Sequence, residues 1–527
     1  MLATLVTAVI NGLRGELVRV EIDVAPGLPG CHIVGLPDAA LSEARERVRG
    51  AIRNSGFDYP LSRITVNLAP ADRRKRGAAY DLAIAIGILV ASGQIRRGGG
   101  AWALLGELSL AGTVEPVPGV LPMVATLARQ GYRRVIVPAA NLDEAALVAG
   151  VEVLGVDGLD DAARLVAGPR GRTARQASRR PAHELSGPRP AATPVERSST
   201  AIGAGLGQVD LADVRGQRHA RWALEIALAG GHNLLMVGPP GAGKTLLART
   251  IPGLLPPLEY DEALEVTVIE SVAGLLHDGA LRRERPFRAP HHTSSYAALV
   301  GGGPALMPGE ATLAHHGVLF LDELAEFDRP ALDALRQPLE EGFLTIARAR
   351  GHVRYPARFQ LVAAMNPCRC GYATDPERRC SCPHGEPERY VRRVSGPLLD
   401  RLDMRIEMGR VPPSELLGGA KPEASADVHP RIVAARMLAL ERNGGRPNAQ
   451  LAGAAVHEAC SLSRTASNVL AEWAASQHLS ARSVHRLLRV ARTMADLDGR
   501  TSVSENDVLA AGALRDPTAV DGQPLAA

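Results

Sequence analysis

Hydrophobic positions recur along the chain in two periods. Between Glu16 and Val24 they alternate: Val18, Val20, Ile22 and Val24 share one face, and Arg19, Glu21 and Asp23 the other. That is the period of a half-buried strand. Pro26–Gly30 breaks it. Asp38 then suits the cap of a helix with a stripe of Leu41, Arg45, Val48 and Ile52, which Gly56 can end. Ile64–Leu68 predicts a strand, Ala79–Ala91 an apolar helix, and Leu105–Val117 a hairpin turning at Ala111–Gly112. Short strands at Arg134–Val137 and Val151–Val156 alternate with helical stretches at Val120–Gln130, Leu142–Val148 and Leu159–Val166. Residues 1–167 therefore read as one α/β domain, a length that suits a single core.

From 168 to 200 the pattern disappears. Arg, Ala, Pro, Ser and Thr dominate, which predicts a flexible basic linker. Periodicity returns at Asp210–Gly230 and persists to about Pro412, so 201–412 is read as a second domain. Pro413–His429 forms a polar break, and from Pro430 to Leu514 the pattern is helical, making 413–527 a helical third domain. The predicted fold class is α/β, with a doubly wound parallel sheet in the centre and helices at the C-terminal end.

Composition narrows the choice of partners. The 527 residues exceed one ordinary core, and 60 basic against 56 acidic residues leave a net charge of only +4. Such a balance does not demand a nucleic-acid partner, so any basic surface must be local. No apolar run reaches the length of a membrane span, and the first residues lack a basic region followed by a cleavage site. Four of six cysteines lie within Cys368–Cys382, which argues against a disulfide framework. A cytoplasmic protein with no membrane association is expected.

The strongest chemical signal is LLMVGPPGAGKT at Leu234–Thr245. A short apolar strand leads into a glycine-rich turn and a helix. Gly238, Gly243, Lys244 and Thr245 fit G-x-x-x-x-G-K-[ST], with Pro239, Pro240, Gly241 and Ala242 between them. Glycines let backbone N–H groups approach phosphate oxygens, and the helix start adds its positive end. Lys244 would reach the β- and γ-phosphates of ATP, and the Thr245 hydroxyl would ligate Mg²⁺. Val318–Glu323, VLFLDE, predicts a buried strand ending in two carboxylates. Asp322 suits the Mg²⁺ shell and Glu323 suits polarising the attacking water. A third strand, Phe359–Ala364, ends near Asn366, whose amide could hold that water or simply make an Asn-Pro turn. Arg401, in SGPLLDRLD, suits an arginine donated to a neighbouring subunit's γ-phosphate in a ring; a surface salt bridge is the other reading.

Cys368, Cys370, Cys380 and Cys382 form C-x-C-x9-C-x-C. Four thiolates would complete a tetrahedral Zn²⁺ site, with Arg369, Arg378 and Arg379 offsetting its charge. Reduced structural cysteines are the alternative. Leu344–Phe359 carries Arg348, Arg350, Arg354 and Arg358 on an expected hairpin, which suits either a phosphate backbone or a solvated sheet edge. His291 and His292 could bind metal or contact the substrate, but they lack nearby acids at ligand spacing, and a structural or loop role is expected.

The stretches FRAPHHTSSYAALVGGG (Phe287–Gly303), PGEATLAHHGVLFLDEL (Pro308–Leu324), AAMNPCRCGY (Ala363–Tyr372) and SGPLLDRLD (Ser395–Asp403) together resemble the YifB/ComM family. These are magnesium-chelatase-like AAA+ ATPases, and the resemblance spans essentially the whole chain. It implies a Lon-protease-like N-terminal domain, an AAA+ P-loop NTPase domain and a helical lid. It implies Walker A roles for Lys244 and Thr245, Walker B roles for Asp322 and Glu323, sensor 1 for Asn366 and the arginine finger for Arg401. Sensor 2 falls on Arg482, with Arg486 one turn further on the same helix face. A homo-oligomeric ring, a hexamer, acting on single-stranded or branched DNA by branch migration or as a helicase is the implied function. A chelatase-type or chaperone-like motor acting on a protein or tetrapyrrole is the alternative. Where a Lon-type protease would place its serine the chain has Ala78 or Ala79, so Lys75 has no nucleophile to activate. The first domain is therefore expected to bind or assemble, and its basic run Arg73–Arg76 to contact DNA or solvent.

Overall fold

Residues 2–25 fold back on themselves as β1 (Leu2–Asn11) and β2 (Arg14–Ala25), paired antiparallel from Leu2 opposite Asp23 to Asn11 opposite Arg14. The computed structural model describes residues 1–35, 39–70, 78–98, 101–168, 209–303, 306–348, 351–418 and 422–515. Asp38, the basic run Arg73–Arg76, the expected linker beyond Gly168, and Arg350 lie outside the described residues.

The N-terminal sheet is completed by β3 (Gly30–Val34), β4 (Arg63–Ala69), β5 (Trp102–Leu104), β6 (Arg134–Pro138) and β7 (Glu152–Val156), in the order β3-β4-β2-β1-β5-β6-β7. Both faces are covered. Leu5, Ile22, Ile64 and Ile86 pack in one core, and Val6, Ala8, Val120 and Val135 in the other. β1 thus turns apolar side chains both ways, and a strand buried on two faces loses the alternation that marks β2. The helix Asp81–Ala91 is buried at every position except Val90. Its one charge, Asp81, receives the Arg47 guanidinium at 2.7 Å.

The second domain holds five parallel strands: β8 (Leu234–Val237), β9 (Phe287–Arg288), β10 (Val318–Leu321), β11 (Gln360–Met365) and β12 (Met404–Glu407), in the order β9-β10-β11-β8-β12. Every residue of β8, β10 and β11 is buried. Sequence order reverses across the sheet, so a crevice opens at the carboxyl ends of β8, β11 and β10. The helices Ser425–Arg442, Arg464–Ser476, Ala481–Leu497 and Glu505–Ala513 share a continuous core with Arg218–Gly230 and one face of this sheet.

The polar break expected over Pro413–His429 is instead partly helical. A short helix runs Pro413–Gly418, and the helix Ser425–Arg442 begins five residues before the expected start at Pro430. Asp427 Oδ2 accepts the Ala424 N–H at 3.0 Å, which caps the start. Pro430 lies in the second turn and removes one intrahelical bond without ending the helix.

Among the described residues the first two domains meet at several points. Ser271, on the helix Tyr260–Val272, donates to Glu144 at 2.5 Å, and its carbonyl accepts the Gly119 N–H at 2.9 Å. Leu13, at the β1–β2 turn, packs on a cluster of Leu306, Ile346, Val353 and Tyr355 that includes the hairpin Phe343–Arg348/Gly351–Pro356. Among the described residues no helix is long and apolar enough to cross a membrane.

Candidate nucleotide site

β8 ends at Val237, and the chain turns through Gly238–Gly243 into the helix Lys244–Arg249. Gly241 and Gly243 take φ of 81° and 90°, a region open to glycine at little cost. Gly238 passes so close to the strand end that a Cβ there would lie 2.2 Å from the Met408 carbonyl oxygen. The sequence pattern is thus dictated by local sterics.

Lys244 is only 8% exposed. Its Nζ donates to the carbonyls of Gly238 at 2.7 Å and Pro239 at 2.9 Å, and to Asn366 Oδ1 at 3.2 Å. Burial lowers its pKa, while Asp322 and Glu323 pull the other way. Thr245 Oγ1 donates to Asp322 Oδ2 at 2.6 Å. Five side chains from three strand ends therefore gather in one crevice: Lys244 and Thr245 beyond β8, Asp322 and Glu323 beyond β10, and Asn366 beyond β11. A buried ammonium facing neutral oxygens, beside a hydroxyl–carboxylate pair, fits a polyphosphate with a hard divalent cation.

Glu323 adopts φ of 53°, and its N–H donates to Asp322 Oδ1 at 3.0 Å. Its Oε2 lies 2.9 Å from His292 Nδ1. His292 sits in the loop after β9, the strand beside β10. The loop role assigned to it from sequence overlooked this partner, which only the strand order reveals.

Arg401 follows the short helix Gly396–Leu399. Its guanidinium pairs with Glu340 and donates to the Pro397 carbonyl, and neither partner belongs to the Lys244 constellation. Arg482 is exposed in the first turn of the helix Ala481–Leu497. Arg486, one turn on, is half-buried, and burial lowers its pKa against the pull of Asp403 and Asp400.

Sequence reading missed a cleft beside the phosphate loop. It has a volume of about 910 Å³ and is lined in part by Gly216, Gln217, Trp222, Arg410 and Val411. Gln217 Nε2 bridges it to the loop, donating to Ala242 O at 2.9 Å and Gly409 O at 2.6 Å.

The four clustered cysteines converge: all their sulphurs lie within 4.8 Å of one another. A second grouping, Glu265 with His315 and His316, is equally tight. Its chemistry differs. His315 Nδ1 accepts the Arg358 N–H at 3.0 Å, so the ring's proton sits on Nε2 and is given to Glu265 at 2.8 Å. Hydrogen bonding from His315 holds the Glu265 carboxyl down to about 2. A neutral imidazole of that tautomer has no lone pair left for a metal. On the basic hairpin, Arg354 is exposed with its guanidinium 3.3 Å from the Phe343 ring centre, and Arg358 is exposed at its base. The Arg348 side chain, like Arg350, is outside the described residues.

Residues 210–416 match the family described as magnesium chelatase, subunit ChlI; residues 20–141 match subunit ChlI of Mg-chelatase, and 422–515 match the ChlI C-terminal region. An uncharacterized Mycobacterium tuberculosis protein is 46% identical over 96% of this chain and 97% of its own. YifB of Escherichia coli, itself uncharacterized, is 44% identical over 92% of each chain. The competence protein ComM of Haemophilus influenzae is 42% identical over 93% of each. The chain belongs to the YifB/ComM family. As a YifB/ComM member it is a magnesium-chelatase-like AAA+ ATPase, and the crevice of Lys244, Thr245 and Asp322 has chemistry suited to ATP and Mg²⁺.

Proposed function

We propose that the protein is an ATP-driven ring motor that acts on single-stranded or branched DNA. The observation that carries the ATPase half is the Thr245–Asp322 bond of 2.6 Å beside the buried Lys244. In this reading Lys244 exchanges its carbonyl partners for the β- and γ-phosphates, where a charged acceptor is worth more to an ammonium than a neutral one. The turn Gly238–Gly243 wraps the phosphates with backbone N–H groups. Thr245 and Asp322 hold Mg²⁺, which supplies charge neutralisation at the transferred phosphate. Glu323 orients water, and Asn366 fixes its far side. Arg401 exchanges Glu340 for the γ-phosphate of a neighbouring copy, and Arg482 or Arg486 closes the lid over the nucleotide. The base lies in the cleft beside Gln217 and Trp222. The family resemblance supports a hexameric ring, in which Arg401 of one copy would serve the site of the next.

The DNA half is supported by the competence name of the Haemophilus relative and by exposed arginines on the hairpin, which suit a phosphate backbone without sequence preference. The N-terminal domain serves as a non-proteolytic module, seated on the hairpin through Leu13. A cytoplasmic location belongs to the same reading. The chelatase descriptions matched by the chain favour one other occupant, a protein or tetrapyrrole partner.

ATP hydrolysis by the purified protein, with and without single-stranded and four-way-junction DNA, tests the proposal beside Lys244→Ala and Glu323→Gln. DNA-stimulated hydrolysis lost in both variants is expected. Hydrolysis indifferent to every DNA would remove DNA as the substrate and bring the protein or tetrapyrrole reading forward.

A further inference from the structure

We propose that Cys368, Cys370, Cys380 and Cys382 bind one zinc ion that clamps the phosphate loop, so that nucleotide affinity depends on zinc. The inference rests on the crevice being the nucleotide site and adds a control on it.

Sulphur geometry comes first. Cys368 and Cys370 lie 3.3 Å apart, Cys370 and Cys380 3.5 Å, and Cys368 and Cys380 3.7 Å. A tetrahedron of thiolates at about 2.3 Å from zinc has edges of about 3.8 Å, whereas a disulfide would bring two sulphurs to about 2.0 Å. These three spacings come close to the edges of one face of a zinc tetrahedron and are too long for a bridge, and Cys382 completes the set with its sulphur within 4.8 Å of the others. The backbone N–H groups of Tyr372 and Ser381 are directed at the Cys370 sulphur, and that of Cys382 at Cys380. Donors aimed at sulphur suit the charge of a metal-bound thiolate.

The segment also lacks regular secondary structure. Between β11 and the helix Glu386–Val391 the chain runs through turns and bends with no regular element. A loop of that length inside a domain needs a local constraint.

What the loop touches gives the clamp its role. Gly371, at φ of 87°, packs so tightly on the phosphate loop that a Cβ would lie 2.5 Å from Pro240 Cδ. Cys368 is fully buried and lies two residues after Asn366, which receives Lys244. On its outer side the loop is tied to the segment after β12, where Arg410 meets Asp375 at 2.7 Å. One ion therefore fixes both the roof over Pro240 and the amide facing Lys244. Without it, the loop gains freedom that nucleotide binding must remove again.

The test uses the full-length protein. Metal per chain is measured by mass spectrometry, and protein loaded with Co²⁺ is examined for the intense absorption of a tetrahedral thiolate site. Binding of a fluorescent ADP is then followed before chelation, after chelation and after zinc is restored. One zinc per chain, the cobalt spectrum, and an affinity that falls at least tenfold on chelation and returns with zinc are expected. Cys380→Ser is expected to lose both zinc and affinity. Gly371→Ala is expected to keep zinc and lose affinity through its contact with Pro240, and the chelation and zinc-return series on the wild type decides the zinc dependence if the cysteine variant fails to fold. No metal, iron in place of zinc, or an affinity unchanged by zinc removal would overturn the proposal. Zinc-loaded protein that binds no nucleotide would overturn the nucleotide reading itself and leave the metal site standing.

Discussion

His292 Nδ1 lies 2.9 Å from Glu323 Oε2, joining the loop after β9 to the acid at the end of β10. A carboxylate held by an imidazole is less free to take a water proton, and it must swing or share to reach one. His292 also belongs to the stretch leading from β9 to the helix Tyr296–Val300, which packs with Glu310–Leu313 on the hairpin side of the domain. Substrate contact felt there would reach Glu323 through one side chain. Replacing His292 with Ala is expected to raise DNA-free hydrolysis several-fold and flatten its response to DNA, with ADP affinity unchanged. Unchanged basal and stimulated rates would show that the contact restrains nothing.

Thr245 and Asp322 meet at 2.6 Å, the distance of a strong hydroxyl–carboxylate bond. In the proposed reading both oxygens serve one divalent cation. Removing either ligand takes away several kcal/mol of charge stabilisation in the transition state. Thr245→Ala and Asp322→Asn are each expected to lower kcat by roughly a thousandfold and to raise the Mg²⁺ concentration needed for half-maximal rate. Titrations of rate against Mg²⁺ that overlay wild type would remove both residues from the metal shell.

Much of this architecture could be read from residues. The phosphate loop carries a long motif because backbone sterics demand glycine at set positions. β2 shows itself through alternation because only half of it is buried. β1 escaped because both faces are covered, so LATLVTAVIN carries no period. β12 escaped because four residues, MRIE, are too few to show one. Ser425–Arg442 was clipped because Pro430 looks like a boundary, and only the Asp427 cap shows that the helix has already begun. His292 and Gln217 had no local signal at all. Their roles come from neighbours about 25 or more residues away, which a pattern along the chain does not contain.

Arg401 is held within its own chain by Glu340 and the Pro397 carbonyl, with its Nε buried and unpaired. An arginine serving a neighbour's site should bind no nucleotide itself. Arg401→Ala is expected to bind ADP like wild type and to lose hydrolysis by roughly a thousandfold. Mixing supplies the sharper check. Rings of Arg401→Ala and Lys244→Ala subunits contain interfaces with an intact lysine on one side and an intact arginine on the other. Activity is expected to reappear on mixing two inactive preparations. If it does not, although mixed rings form, Arg401 acts within its own subunit.

His232 lies fully buried at the seam between the five-stranded sheet domain and the C-terminal helices, with Nε2 2.8 Å from Thr493 Oγ1 on the helix Ala481–Leu497. Burial pushes its pKa from 6.5 to about 4; Asp403, with an oxygen 4.0 Å from Nδ1, offsets only part of that. The folded state thus refuses a proton that the unfolded state accepts. Its stabilising contribution is complete above about pH 6.5, falls as pH drops from 6.5 towards 4, and changes no further below that. The full difference is on the order of 3 kcal/mol. Denaturant unfolding of wild type and His232→Gln between pH 7.5 and 4 measures it. The variant is expected to be less stable at pH 7.5 and to lose less on acidification, so the two curves converge. Parallel curves would mean that His232 keeps the same charge in both states across this range.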